Sequence, residues 1–154
     1  MIEQCGELLA KKKLNLTFIE SASAGYLAYR FSMTPFSGDI LYGGLVCYDL
    51  KVKENILKIN PDLVDKFTAE SAQVTEELVR KSKKIFDSKI HIACTGLLKR
   101  GGSETPDKPV GTFFYAILYK NKVNNFKCVL KGKKNKKLEK LANHICKNLI
   151  KLVG

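Results

Sequence analysis

The chain has 154 residues, 45% of them apolar, and a formal net charge of +12 from 27 basic and 15 acidic side chains. That length suits one domain with a real core, and no apolar run is long enough to cross a bilayer. The N-terminal MIEQCGELLAKKKLNL carries charge where a secretion signal needs an apolar centre, so a soluble, cytosolic protein with no membrane partner is expected.

Ile2, Cys5, Leu8 and Leu9 recur at helical spacing and predict an amphipathic first helix, after which LNLTFI reads as a strand. The strand breaks into ESASAG, and a helix is predicted from Ala24 to about Ser32, ended by the loop MTPFSGD. ILYGGLVCY reads as a second strand whose Gly43 and Gly44 signal a bulge or a close backbone approach. KVKENILKI has the spacing of a short helix, stopped at Asn60-Pro61. Thr75 followed by Glu76 and Glu77 predicts a helix start, with Leu78, Val79, Ser82, Ile85 and Phe86 facing inward. KIHIACTG is strand-like, with His91 packed inside it. The loop LLKRGGSETPDKP then leads into GTFFYAILY and VNNFKCVLK, a hairpin joined at Lys120 to Lys122. From about Asn135 to Val153, Leu138, Leu141, Ala142, Ile145, Leu149 and Leu152 form one helical stripe. The order predicts an α/β fold, a three-layer α/β/α sandwich with a mixed, mostly parallel sheet and an antiparallel edge.

The five cysteines are scattered singly and read as reduced core residues; with only His91 and His144 beside them, no metal site is expected. Of the basic residues 24 are lysines, and 11 of these lie between Lys120 and Lys151 with Glu139 as the one acid among them. Arginine is confined to Arg30, Arg80 and Arg100, and KGKKNKKLEK lacks interleaved aromatics. A solvated lysine face and weak, nonspecific attraction to polyanions follow, with no specific nucleic-acid partner. A lysine-driven nucleic-acid binder is the alternative that charge alone suggests, and it predicts steep salt dependence.

Three polar breaks fall at the ends of predicted strands, where open α/β sheets place ligands: Glu20 to Gly25, Gly43 to Lys53, and Thr95 to Gly111. Taken singly, Ser21 and Ser23 fit helix caps, Tyr48 a strand end, Lys53 a solvated lysine, Gly43 and Gly44 a bulge, and Thr95-Gly96 a strand terminus. The same corners could instead present a hydroxyl and free backbone N–H groups to one ligand.

In this order, ESASAG, GGLVCYDLKVK, VTEE, TG with its glycine-bearing loop, and KPVGT resemble the C-terminal domain of the competence-damage-inducible (CinA) family, the nicotinamide mononucleotide amidohydrolases. The resemblance runs from about Leu16 to the final helix and lacks the family's fused N-terminal domain, which implies a stand-alone form. It implies hydrolysis of the carboxamide of nicotinamide mononucleotide to nicotinic acid mononucleotide and ammonia, in pyridine nucleotide salvage. Ser21 matches the nucleophile, and Lys53 with Tyr48 completes the catalytic group. Candidate substrate-binding positions are Glu20, Ser23, Ala24, Gly25, Gly44, Thr95, Gly96 and Lys134; Lys133 and Arg100 are further sources of charge for the phosphate. Lysine can serve as base to a serine only when neutral, so the amine of Lys53 would have to be lowered from about 10.4. No cofactor is required, the partner is a small nucleotide substrate, and the family implies a homo-oligomer.

Three departures stand out. Ala24 occupies the place of the first of two glycines, and the loop after Thr95-Gly96 lacks the family's Gly-Pro and is a residue longer. Gly132-Lys133-Lys134 stands where the family tends to have Gly-Asp-Arg. These departures motivate the alternative of a nucleotide-binding protein with weakened turnover.

Overall fold

A computed structural model describes all residues, 1–154. Five strands form one sheet in the order β2-β1-β3-β4-β5. They are β1 (Leu16–Glu20), β2 (Leu41–Val46), β3 (Ile90–Gly96), β4 (Thr112–Tyr119) and β5 (Lys122–Val129). β1 pairs in parallel with both β2 and β3, whereas β4 is antiparallel to β3 and to β5, so four of the five strands share one direction.

Alternation along the strands builds two cores. On one face Phe18, Ile92, Cys94, Phe113 and Tyr115 pack against α1 (Ile2–Lys11), α2 (Tyr26–Ser32) and α7 (Lys134–Val153). On the other, Ile19, Ala93, Ala116 and Leu118 meet α4 (Leu50–Leu57) and α6 (Ala72–Ser82). Ala93 and Ala116 are register partners, and two small side chains at that point let α6 lie close against the sheet. The short helices α3 (Ser37–Ile40) and α5 (Pro61–Phe67) complete the chain, giving the predicted three layers. No helix is long and apolar enough to cross a membrane. All five cysteines are free.

Two local expectations change. Helix α6 begins not at Thr75 but at Ala72, because the Ser71 hydroxyl accepts the N–H of Val74 and caps the helix one turn earlier. Leu78, Val79 and Ser82 are buried as expected, but α6 ends at Ser82 and Ile85 turns outward to 45% exposure. At Gly44 the close approach is internal: a Cβ there would stand 2.7 Å from the Phe18 carbonyl oxygen on β1. The register slips next to it, where Leu16 pairs with Leu41 but Thr17 with Gly43, which leaves Tyr42 as the bulged residue.

Candidate active site

A cleft of about 390 Å³ opens at the carboxyl ends of β1 and β3, neighbours whose outgoing chains leave in opposite directions along the sheet. Ser21 sits on its floor, one residue past β1. The Ser21 N–H donates to the Cys94 carbonyl at 3.0 Å, which extends the β1–β3 pairing and fixes the backbone of the serine.

The corner after Ser21 is built from the strand side. Glu20 is 1% exposed, and its carboxylate accepts the N–H groups of Leu27 (2.8 Å) and Ala28 (3.0 Å), the second and third residues of α2. A carboxylate at the positive end of a helix is well placed. The N-cap itself is Gly25, which has no side chain to offer, and neither Ser21 nor Ser23 caps the helix. Glu20 is thus a framework residue turned away from the cleft, not a substrate ligand. Ser23 is buried, with its hydroxyl unpartnered.

Ala24 and Gly25 adopt successive left-handed conformations, φ 47° and 93°. The alanine adopts a backbone in which its Cβ costs about 1–2 kcal/mol. This turn leaves the N–H groups of Ala22, Ser23 and Gly25 without a partner in the chain, next to the Ser21 hydroxyl in sequence. Ala24→Gly removes the strain but gives back about 0.4–1 kcal/mol of unfolded-chain entropy. The expected net gain is roughly 0.5 kcal/mol, read as a higher urea midpoint at constant slope.

Lys53 comes from the first turn of α4, which is capped by Asp49 accepting the Lys51 N–H at 2.8 Å. Its side chain is 1% exposed, and its amine has three neighbours: Ser21 Oγ at 2.9 Å, the Cys47 carbonyl at 2.5 Å and the Tyr48 carbonyl at 3.2 Å. Burial holds the amine below the usual lysine range, against the opposing pull of the Cys47 thiol and the Glu70 and Asp49 carboxylates. A neutral amine has two N–H bonds and one lone pair. The two carbonyls can only accept, so they take the two N–H bonds and leave the lone pair for the Ser21 proton.

Tyr48 reaches this group through its main chain. Its carbonyl orients Lys53, while its phenol ring is 58% exposed on the cleft rim. The phenol forms no hydrogen bond to Ser21 or Lys53, so the contact that joins Tyr48 to this pair is its carbonyl, with the ring beside them on the cleft rim.

Thr95 is also turned away. Thr75 donates its proton to the Ser71 carbonyl at 2.6 Å, so Thr95 donates to Thr75 across 2.9 Å, inside the β3–α6 packing. Gly96 and Lys134 do line the cleft, as does Ala24, whereas Gly25 and Gly44 do not. At Gly96 the Phe113 ring fills the space a side chain would take.

Sequence reasoning missed Glu70 on the cleft wall and the clamp behind it. The amine of Lys108, the lysine of KPVGT, donates to Thr68 Oγ1 (2.7 Å), Ser103 Oγ (2.8 Å) and the Glu70 carbonyl (2.9 Å). Ser103 donates to the Glu70 carboxylate at 2.5 Å. Together they tie the loop after β3 to the segment before α6, and they hold Thr68 at φ 69°, ψ 161°, a region nearly reserved for glycine. The signal was the lysine of KPVGT, a motif that carried the resemblance without a role for its lysine.

A second hollow of about 450 Å³ between α5 and α6 mixes Lys58, Asp62, Lys66 and Glu77 and holds no nucleophile. No three His, Cys, Asp or Glu side chains converge anywhere in the chain.

The family model described as CinA C-terminal domain matches residues 1–153. A CinA-like protein of Fervidobacterium nodosum is 33% identical over 127 residues, which is 82% of this chain and 31% of that protein. A putative competence-damage inducible protein of Clostridium beijerinckii is 31% identical over 134 residues, 87% of this chain and 32% of that one. The chain thus spans about a third of the length of these curated relatives. Among solved structures, a competence-damaged protein (CinA) superfamily protein from Enterobacter cloacae superposes with a TM-score of 0.91 at 23% identity, over 100% of this chain and 93% of that one. With a family match over all but the last residue and the same fold in that structure, this chain belongs to the CinA C-terminal domain family.

Proposed function

We propose that this chain hydrolyses the carboxamide of nicotinamide mononucleotide, releasing ammonia and nicotinic acid mononucleotide. The observation that carries the reading is the buried amine of Lys53 at 2.9 Å from the Ser21 hydroxyl, with two carbonyls holding its N–H bonds. Neutral Lys53 takes the Ser21 proton as the oxygen attacks the amide carbon. The C=O pair moves onto oxygen, and the unpartnered N–H groups of the corner are the nearest donors in sequence for that charge. When the tetrahedral adduct collapses, the C–N bond breaks and the proton on Lys53 passes to the departing nitrogen, leaving an ester on Ser21 and free ammonia. Water, deprotonated by the same amine, then cleaves the ester and restores both side chains.

The cleft suits the rest of such a substrate. Tyr48 and Leu98 give apolar surface for a pyridine ring, while Arg100 and Lys134 supply charge for a phosphate. Ammonia release from nicotinamide mononucleotide by the pure protein is the direct test. Ligand binding without release would favour the weakened nucleotide-binding alternative.

The reaction should also rise with pH. With Lys53 lowered from 10.5, kcat/KM climbs about tenfold per pH unit while the amine is protonated and levels off at an apparent value below 10.5. Stability follows the same sign. Between the folded and unfolded values the unfolded chain binds the extra proton, so unfolding becomes costlier as pH rises. A pH–rate profile beside urea titrations at several pH values reads both, and a kcat/KM that shows no rise anywhere between the acid limit of folding and alkaline pH would exclude lysine as the base.

A further inference from the structure

Between β3 and β4 the chain makes a loop whose base is closed by the Leu97 N–H on the Thr112 carbonyl (2.9 Å) and the Gly111 N–H on the Leu97 carbonyl (2.7 Å). At its tip Gly101 takes φ 97°, and the N–H groups of Gly101 and Gly102 point to one side. Both donate to the same group, the carboxylate of Glu104, to Oε1 and Oε2 at 2.9 Å each. Two successive backbone N–H groups converging on two oxygens of one anion form a nest, the arrangement that also receives phosphate oxygens.

Glu104 is the only anion the nest holds, and little else holds Glu104. The side chain is exposed and forms no ion pair. The Gly101 N–H, foremost, with further main-chain N–H groups and the charge of Arg100, keeps its carboxyl below the usual carboxylate range. The anion is therefore bound by the nest and by no packing, so another anion can replace it without disturbing the core.

The location is informative. Gly101 and Gly102 line the same cleft as Ser21, and the cations on that wall are Lys99, Arg100 and Lys134. Lys134 opens the 20-residue helix α7, whose N-cap Lys133 provides no side-chain acceptor, so the positive end of that helix also faces the region.

We propose that the Gly101 and Gly102 N–H groups are the subsite for a phosphomonoester dianion, and that Glu104 occupies it as an internal competitor which the incoming phosphate displaces. The proposal rests on the amidase reading for the identity of the phosphate, the 5′-phosphate of the mononucleotide. Apparent affinity is then reduced by the fraction of molecules in which the nest is free.

The test uses inorganic phosphate as the probe, so that it does not depend on turnover. The amide resonances of Gly101 and Gly102 should shift on phosphate addition and stay in place with chloride at matched ionic strength. In Glu104→Ala and in Glu104→Gln the apparent Kd for phosphate should fall about tenfold. Glu104→Gln preserves the length of the side chain and one acceptor, so it guards against a loop that collapses in the alanine variant. Unchanged or weaker phosphate binding in both variants, or phosphate shifts confined to residues outside the loop, would overturn the proposal. Where ammonia release is measurable, both variants should also lower KM more for nicotinamide mononucleotide than for its riboside. Absence of ammonia release would count against the amidase alone, with the phosphate titration still deciding the nest.

Discussion

Ser21→Ala and Lys53→Ala should each reduce ammonia release by about 10³–10⁴-fold, and the double variant should be no worse than either alone. The expectation follows from the shared proton. Without the hydroxyl there is nothing for the amine to activate, and without the amine the hydroxyl stays protonated and unreactive at neutral pH. Two groups that perform one step cannot lose it twice, so the logarithms of the two effects should not add. Single-turnover kinetics sharpen the test, because an acyl ester can form only on Ser21. Additive losses, or full activity in Ser21→Ala, would place the nucleophile elsewhere. Lys53→Arg should fail like the alanine, since a guanidinium stays charged and cannot take the proton. Stability provides a control: Lys53→Ala removes a buried, desolvated amine but strands the Cys47 and Tyr48 carbonyls, so its folding must be confirmed by circular dichroism before its rate is read.

The sheet was legible because each strand carries its own period and its own punctuation. Phe18 and Ile19 point to opposite cores as alternation requires, and the β4–β5 hairpin turns at Lys120-Asn121 with both residues at positive φ. The pairing of Ser21 with Lys53 came from a family resemblance and not from pattern, since the two stand 32 positions apart in the sequence. What stayed hidden depends on contacts that no local window contains. Thr95 looks like a strand-end hydroxyl free for a ligand until α6 brings Thr75 to it. That Tyr48 holds the lysine by its carbonyl is visible only once the chain has turned after β2. Lys108 is one of 24 lysines in the sequence, and only folding shows that three oxygens surround it.

Glu20→Ala should cost about 3 kcal/mol of stability and, with the protein still folded, lower turnover by roughly one to two orders of magnitude without touching substrate. Four N–H groups begin every helix without an intrahelical partner. In α2 the N-cap Gly25 N–H has no partner and the Tyr26 N–H finds the Ser23 carbonyl, while Leu27 and Ala28 depend wholly on the Glu20 carboxylate. Alanine leaves those two donors unpaired in a closed environment, at about 1–3 kcal/mol each before local relaxation. For a chain of this size the loss corresponds to a melting point lower by roughly 6–12 °C. The cost in rate has a separate origin. Glu20 does the capping from the strand, six positions before the first residue of the helix, and so releases Ser21 from the task a serine at a helix start would ordinarily perform. When that hold is lost, the Ser21 hydroxyl is free to turn toward the exposed N–H groups of α2 and away from Lys53. Glu20→Gln, which keeps one acceptor and turns an N–H₂ toward the second donor, should fall between the two in stability. Hydrogen exchange at Leu27 and Ala28, together with the rate, separates the two effects: fast exchange with an undiminished rate would show that the cap holds the helix but does not position the serine.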